Sequence, residues 1–131
     1  MTFDTSYYNA ERDRLQKVLD SQKTSKERNE KGQFATPYSL ASSIMHKAKD
    51  FCREKVVCLI EPSIGLGSFY VAFRDVFGEK AGHALGFEID EHYYAPAKKL
   101  WAKEDIELRN VDFLKEGTTD EHFDLLVANP P

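Results

Sequence analysis

Val56-Val57-Cys58-Leu59-Ile60-Glu61-Pro62-Ser63-Ile64-Gly65-Leu66-Gly67 is the stretch that decides the fold. Its first five residues are a continuous apolar run of strand length, as in a strand buried on both faces of a parallel sheet. Gly65 and Gly67 permit a tight turn and a close approach of the backbone to a ligand. The next residues, Ser68 to Phe77, read as a helix that stops at Gly78 and begins with free N–H groups. The whole is a strand, a tight acidic-to-glycine turn, and a helix.

The same alternation continues downstream. Ala84 to Phe87 reads as a second strand ending in Glu88-Ile89-Asp90, and a helix follows to about Lys103, in which Pro96 fits only the first turn. Ile106 to Leu108 is a short third strand, followed by Val111-Asp112-Phe113-Leu114. Leu125 to Ala128 is a fourth, apolar throughout and ending in Asn129-Pro130-Pro131. Such a strand has the character of a central one, yet here it would form an edge. Upstream, Ser6 to Ser21 is expected to be helical, with Leu15, Val18, Leu19 and Gln22 on one face and Arg12, Arg14 and Lys17 on the others. Gln22 to Phe34 reads as a polar loop in which Lys23, Lys26, Arg28 and Lys31 form a solvated face. Thr36 suits a helix N-cap with Pro37 at the first position, and Leu40, Ile44, Ala48 and Phe51 mark an apolar face to about Cys52. Trp101, Tyr93 and Tyr94 read as helix packing residues. The pattern predicts an α/β fold, a parallel sheet with right-handed crossovers and helices on both faces, preceded by an N-terminal helical segment. Residues 1–35 form that segment and residues 36–131 the α/β unit. Ligands in such folds sit beyond the carboxyl ends of the strands.

Composition agrees. The 131 residues are 41% hydrophobic and 31% charged, ordinary for one folded domain. No apolar run reaches the roughly 18–20 residues of a membrane span, and Thr2 to Glu11 shows no signal-peptide core. Cys52 and Cys58 read as reduced thiols, and His46, His83, His92 and His122 show no metal-ligand spacing, so the expected protein is cytoplasmic and metal-free. The net charge of −4 is uneven: residues 1–55 carry 11 basic and 8 acidic side chains, residues 56–131 carry 7 and 14. A uniformly basic nucleic-acid binder is excluded, but a nucleic-acid enzyme whose contacts lie elsewhere is not.

The strand ends carry the chemistry. Glu88 follows Gly67 by 21 positions, where nucleoside-binding folds place a carboxylate for ribose hydroxyls. Tyr70 stands where a dinucleotide fingerprint needs its third glycine, and no Gly-Lys-Ser/Thr follows, so the loop is neither that fingerprint nor a Walker A loop. Glu61 opens it instead. A carboxylate there would repel a pyrophosphate but suits a cationic or amino-bearing group, and S-adenosylmethionine is a nucleoside that carries both. Asp112 can accept from an exocyclic amine or cap a helix, and Phe113 can face an adenine ring or the core. Two prolines after a buried strand hold the backbone stiff, so that the Asn129 side-chain oxygen and the Pro130 carbonyl could accept together from one planar amino group.

Taken in order, these segments resemble the class I S-adenosylmethionine-dependent methyltransferases of the N6-adenine DNA type found in restriction–modification systems. Gly32-Gln33-Phe34-Ala35-Thr36-Pro37 resembles their motif X, Glu61 to Phe69 motif I, Gly86 to Asp90 motif II, Val111 to Phe113 motif III, and Asn129-Pro130-Pro131 motif IV. The resemblance implies a Rossmann-like class I methyltransferase fold. Phe34, Ala35 and Thr36 would then border the methionine end of the cofactor, and Glu61, Pro62, Gly65 and Gly67 would surround its methionine and sulfonium. Glu88 would hold the ribose, Ile89 would pack on adenine, Asp112 would accept from the adenine amine, and Phe113 would lie against the ring. Asn129, Pro130 and Pro131 would hold the target amine of a base flipped from double-stranded DNA. The family has a base-stacking aromatic residue, three more strands and a target-recognition region after motif IV. The chain is therefore expected to be the cofactor part, inactive alone, completed by a C-terminal part or a restriction subunit. A protein glutamine-N5 methyltransferase and a non-catalytic cofactor- or subunit-binding fragment are the alternatives.

Overall fold

The computed structural model describes residues 2–27 and 35–129. Helices α1 (Thr5–Ser21) and α2 (Tyr38–Phe51) precede an alternation of β1 (Val57–Glu61), α3 (Ser68–Phe77), β2 (Ala81–Phe87), α4 (Glu91–Leu100), β3 (Ile106–Arg109), α5 (Phe113–Glu116) and β4 (Leu125–Leu126). The strands form one parallel sheet in the order β3-β2-β1-β4. The sheet grows outward from β1 through β2 to β3, then restarts at β4 on the other side. That reversal is a topological switch point, where doubly wound sheets open a crevice at their carboxyl ends.

Alternate side chains of each strand go to opposite faces, and the two faces are covered unequally. Val57, Leu59 and Ala84 share a core with Met45 of α2, Phe73 and Phe77 of α3, Ala97 and Trp101 at the end of α4, and Tyr8 and Leu19 of α1. Helix α1 is thus built into the same core as the α/β unit. On the other face Ile60, Leu85 and Phe87 are covered by Val111, Phe113 and Phe123. Asp124 ties β4 to β1: its carboxylate accepts from the Cys58 amide at 2.9 Å, and its own amide donates to the Cys58 carbonyl at 2.9 Å.

Several local expectations shift. Strand β2 begins three residues earlier than its apolar run, β4 spans two residues rather than four, and Val56 is exposed outside β1. Pro37 is the N-cap of α2, and Thr36 makes no cap bond. On α2, Ala41 and Met45 are fully buried and the expected Ile44 and Ala48 pack against the same core, while Leu40 and Phe51 are exposed. On α1, Val18 is exposed and Arg12 is buried beside Leu19. Pro96 lies in the sixth position of α4, past the first turn, where it removes one helical hydrogen bond from a helix capped by the Asp90 carboxylate. Lys23 is not solvated but pairs with Asp90. Among the described residues no helix is long and apolar enough to cross a membrane.

Candidate cofactor cavity

The site is assembled by the turn between β1 and α3. Gly65 (φ +56°) and Gly67 (φ +92°) take left-handed conformations that favour glycine. At Gly67 a Cβ would also fall 2.7 Å from Trp101 Nε1, so the turn lies directly on the indole. Trp101 Nε1 donates to the Leu66 carbonyl at 3.1 Å and holds the turn from below. The Ile64 amide donates to the Phe87 carbonyl at 2.8 Å, joining the turn to the end of β2.

Glu88, just past β2, closes this connection. Its carboxylate accepts from the Gly65 amide at 3.1 Å and from the Asp90 amide at 2.8 Å. Burial pushes its pKa up, against the opposing pull of those two amides. Glu61, the last residue of β1, is 2% exposed, and one of its oxygens has no hydrogen-bond partner among the described residues. Burial first, and the neighbouring Glu88 second, hold its carboxyl well above the usual carboxylate range. An unpartnered buried acceptor of this kind is expensive unless a donor arrives.

Glu61, Gly65, Glu88 and Ile89 line a cavity together with Ala35, Thr36 and Asn129. The cavity is a cleft open to solvent. Asn129 Nδ2 donates to Thr36 Oγ1 at 3.2 Å, which leaves the amide oxygen as an acceptor and joins residues 93 positions apart. Ile89 is 62% exposed at the rim. Pro62 and Gly67 lie in the turn but do not line the cavity. Nor do Asp112 and Phe113: the Asp112 carboxylate accepts from the Leu114 amide at 3.0 Å and caps α5, while Phe113 packs edge-on against Phe87. Phe34, Pro130 and Pro131 lie outside the described residues.

Gln16 of α1 and Tyr93 of α4 also line the cavity, which nothing in their sequence positions signals. So do Ser63, Ile64, Leu66, Ser68 and Phe69, all within the turn and the start of α3. Elsewhere, His83, Glu107 and Glu121 each bring one ligand atom within 4.8 Å of the others, a grouping that no sequence spacing shows.

The chain has the Rossmann-like fold of the class I methyltransferases. In sequence it is similar to the Type II methyltransferase M.CvrRI of Paramecium bursaria Chlorella virus XZ-6E, 33% identical over 106 residues. That match covers 81% of the chain, and the chain spans only 26% of that relative's length. Among solved structures, PH1948 of Pyrococcus horikoshii, described as an RNA methyltransferase, superposes with a TM-score of 0.62 at 17% identity, over 76% of the chain and 48% of that protein. The plantazolicin methyltransferase BpumL, in complex with a monoazolic desmethylPZN analogue and SAH, gives 0.58 at 14% identity, over 93% of the chain and 47% of its own. Protein-L-isoaspartate O-methyltransferase gives 0.53 at 13%, over 89% and 47%. No family model matches the chain.

Proposed function

We propose that the cavity binds S-adenosylmethionine and that the chain is the cofactor-binding part of a DNA methyltransferase acting on adenine N6, in a restriction–modification system. The observation that carries the cofactor reading is the buried, unpartnered oxygen of Glu61 in a cavity whose other carboxylate, Glu88, stands at the end of the neighbouring strand. A ligand with an ammonium or sulfonium group meets the first need and ribose hydroxyls meet the second. The five motifs in order, and the similarity to a Type II methyltransferase, support DNA as the substrate. Residues 36–131 supply the cofactor half, with α1 packed against it.

When bound, this cofactor supplies an electrophilic methyl group on sulfur. The protein's part is positional and electrostatic. Thr36 holds Asn129 so that its amide oxygen is free to accept from the target amine, with the Pro130 carbonyl as the second acceptor. Two acceptors on one –NH2 group draw its lone pair out of the ring and toward the methyl carbon. With the cofactor bound, the amine held by Asn129 would accept the methyl group, and its displaced proton would pass to solvent water. The test uses the full-length protein with plasmid DNA and labelled cofactor. N6-methyladenine mapped at a fixed site is the expected product. Faster methylation of a glutamine-bearing peptide, or no methylation of DNA, would overturn the substrate assignment.

A further inference from the structure

Away from the cavity, the sheet face built on Ile60, Leu85 and Phe87 carries a second grouping of polar side chains. Strands β2 and β3 pair in parallel, with Leu85 beside Glu107. Side chains paired in this way leave the sheet on the same face. His83 precedes Leu85 by two positions, and its ring lies 6.5 Å from the ring of Phe123, which covers that face. Glu121, two residues before Phe123, is carried to the same place. His83, Glu107 and Glu121 thus come from β2, β3 and the segment leading into β4, and each offers one ligand atom within 4.8 Å of the others. None of the three lines the cavity, which lies past the carboxyl ends of the strands.

The imidazole is already oriented. Its Nδ1 stands 2.8 Å from Oδ1 of Asp105, the residue before β3. A carboxylate at Nδ1 keeps the ring proton there and leaves the Nε2 lone pair free, the arrangement of histidines that ligate metal ions. Nε2 is 3.7 Å from Glu121 Oε2. That spacing is wide for a hydrogen bond, and it is near the roughly 3.4 Å between two ligand atoms each about 2.1 Å from a tetrahedral zinc ion. Three carboxylates, Asp105, Glu107 and Glu121, meet around this one ring. Among the described residues the only permanent cation paired with any of them is Arg109, on Glu107 Oε2, which leaves Oε1. Like charges gathered by folding repel unless they share a cation. The mixed nitrogen and oxygen set suits zinc or another first-row divalent ion better than magnesium or calcium, which take oxygen ligands.

We propose that His83, Glu107 and Glu121 form a binding site for a zinc-class divalent cation, with Asp105 as the positioning residue behind His83. Three protein ligands leave a fourth position for water. The bound ion clips the segment before β4 onto β2 and β3, so that metal binding and stability are linked.

The test is calorimetric titration of the chelator-stripped, full 131-residue chain with Zn²⁺, together with its melting in the presence and absence of the ion. One equivalent should bind with a Kd of about 10 μM or tighter, raise Tm, and outcompete Mg²⁺ by about 100-fold or more. Asp105→Asn should weaken Zn²⁺ about 10- to 100-fold, the usual worth of such an orienting carboxylate. Glu121→Gln, at an exposed position, should weaken it at least as much while leaving the metal-free Tm near that of wild type. His83→Gln should abolish the Zn²⁺-dependent rise in Tm. Co²⁺ in place of Zn²⁺ should give the visible bands of nitrogen and oxygen ligation without thiolate charge-transfer absorption. Absence of saturable Zn²⁺ binding overturns the site. So does wild-type affinity in both Asp105→Asn and Glu121→Gln, or a thiolate band, which would move the ion to Cys52 or Cys58.

Discussion

Replacing Glu61 by Gln should make the unliganded protein more stable than wild type as pH rises, and should weaken its binding of a cationic ligand. The side chain sits at the end of β1, almost wholly buried, with one oxygen unpartnered and Glu88 nearby. Ionising it there means placing an uncompensated charge in the interior, so the folded protein keeps the proton above the ordinary glutamate value of 4.5. The unfolded chain releases its proton near that value. The folded carboxyl thus has the raised pKa, and its relative stabilisation is fully present below about 4.5 and lost as pH rises toward the folded value. While the folded carboxyl stays protonated, each pH unit costs about 1.4 kcal/mol. Over two units, from pH 5 to 7, that is at most about 3 kcal/mol, or roughly 10 °C in Tm for a chain of this size. Gln has the same shape and cannot ionise, so it lacks this slope. Glu88 is present in both proteins, and its own contribution largely cancels in the difference. Scanning calorimetry of both proteins at pH 5, 6 and 7 measures the divergence. Parallel Tm curves would refute the buried, proton-holding state of Glu61. The same substitution removes the only unpartnered carboxylate oxygen at the cavity among the described residues, and affinity for S-adenosylmethionine should fall about 10- to 100-fold by titration.

Three further outcomes are expected. Gly67→Ala forces a Cβ to within 2.7 Å of the Trp101 indole nitrogen at a left-handed φ, and should cost about 3 kcal/mol in chemical unfolding; Gly65→Ala, which meets no atom within 4 Å, should cost less. Glu88→Ala leaves the Gly65 and Asp90 amides unsatisfied, so it should destabilise the chain by about 1–3 kcal/mol and also abolish measurable binding of S-adenosylmethionine. Binding as tight as wild type would rule Glu88 out of the site. Trp101 is the chain's single tryptophan and bonds to a residue of the cavity wall, so its fluorescence should change saturably as S-adenosylhomocysteine is added; in Glu88→Ala that response should vanish.

The fold was largely legible because its signals are local. The apolar run at 57–60 suits a buried strand or helix better than a loop, and its shortness and flanking turns select a strand. Gly65 and Gly67 are required by positive φ, and Ser68–Phe77 is helical over the span its sequence suggests. Expectations slipped where neighbours decide. The wide apolar stripe of α2 fits more than one rotation, and only contact with α3 chose Ala41 and Met45 over Leu40. Pro96 marked a boundary by propensity, yet α4 begins earlier because Asp90 caps it, with its own partner Lys23 coming from beyond α1.

The candidate site divides along the same line. Glu61, the glycine turn, Glu88 and Asn129 were visible because each stands at a strand end, and parallel strands bring their carboxyl ends together by construction. Gln16 was not, because a polar residue on an amphipathic helix reads as solvated until something covers it. The sequence by itself determined the elements, their parallel arrangement and the acidic edge where a nucleoside can bind, since these follow from local apolar patterning and turn stereochemistry. Only the tertiary structure decided that α1 packs on the start of α3, burying the Arg12 guanidinium against Ser68, and that one Glu61 oxygen is left buried without a partner among the described residues. Burial and charge pairing are properties of what surrounds a side chain, and no spacing along the chain encodes them.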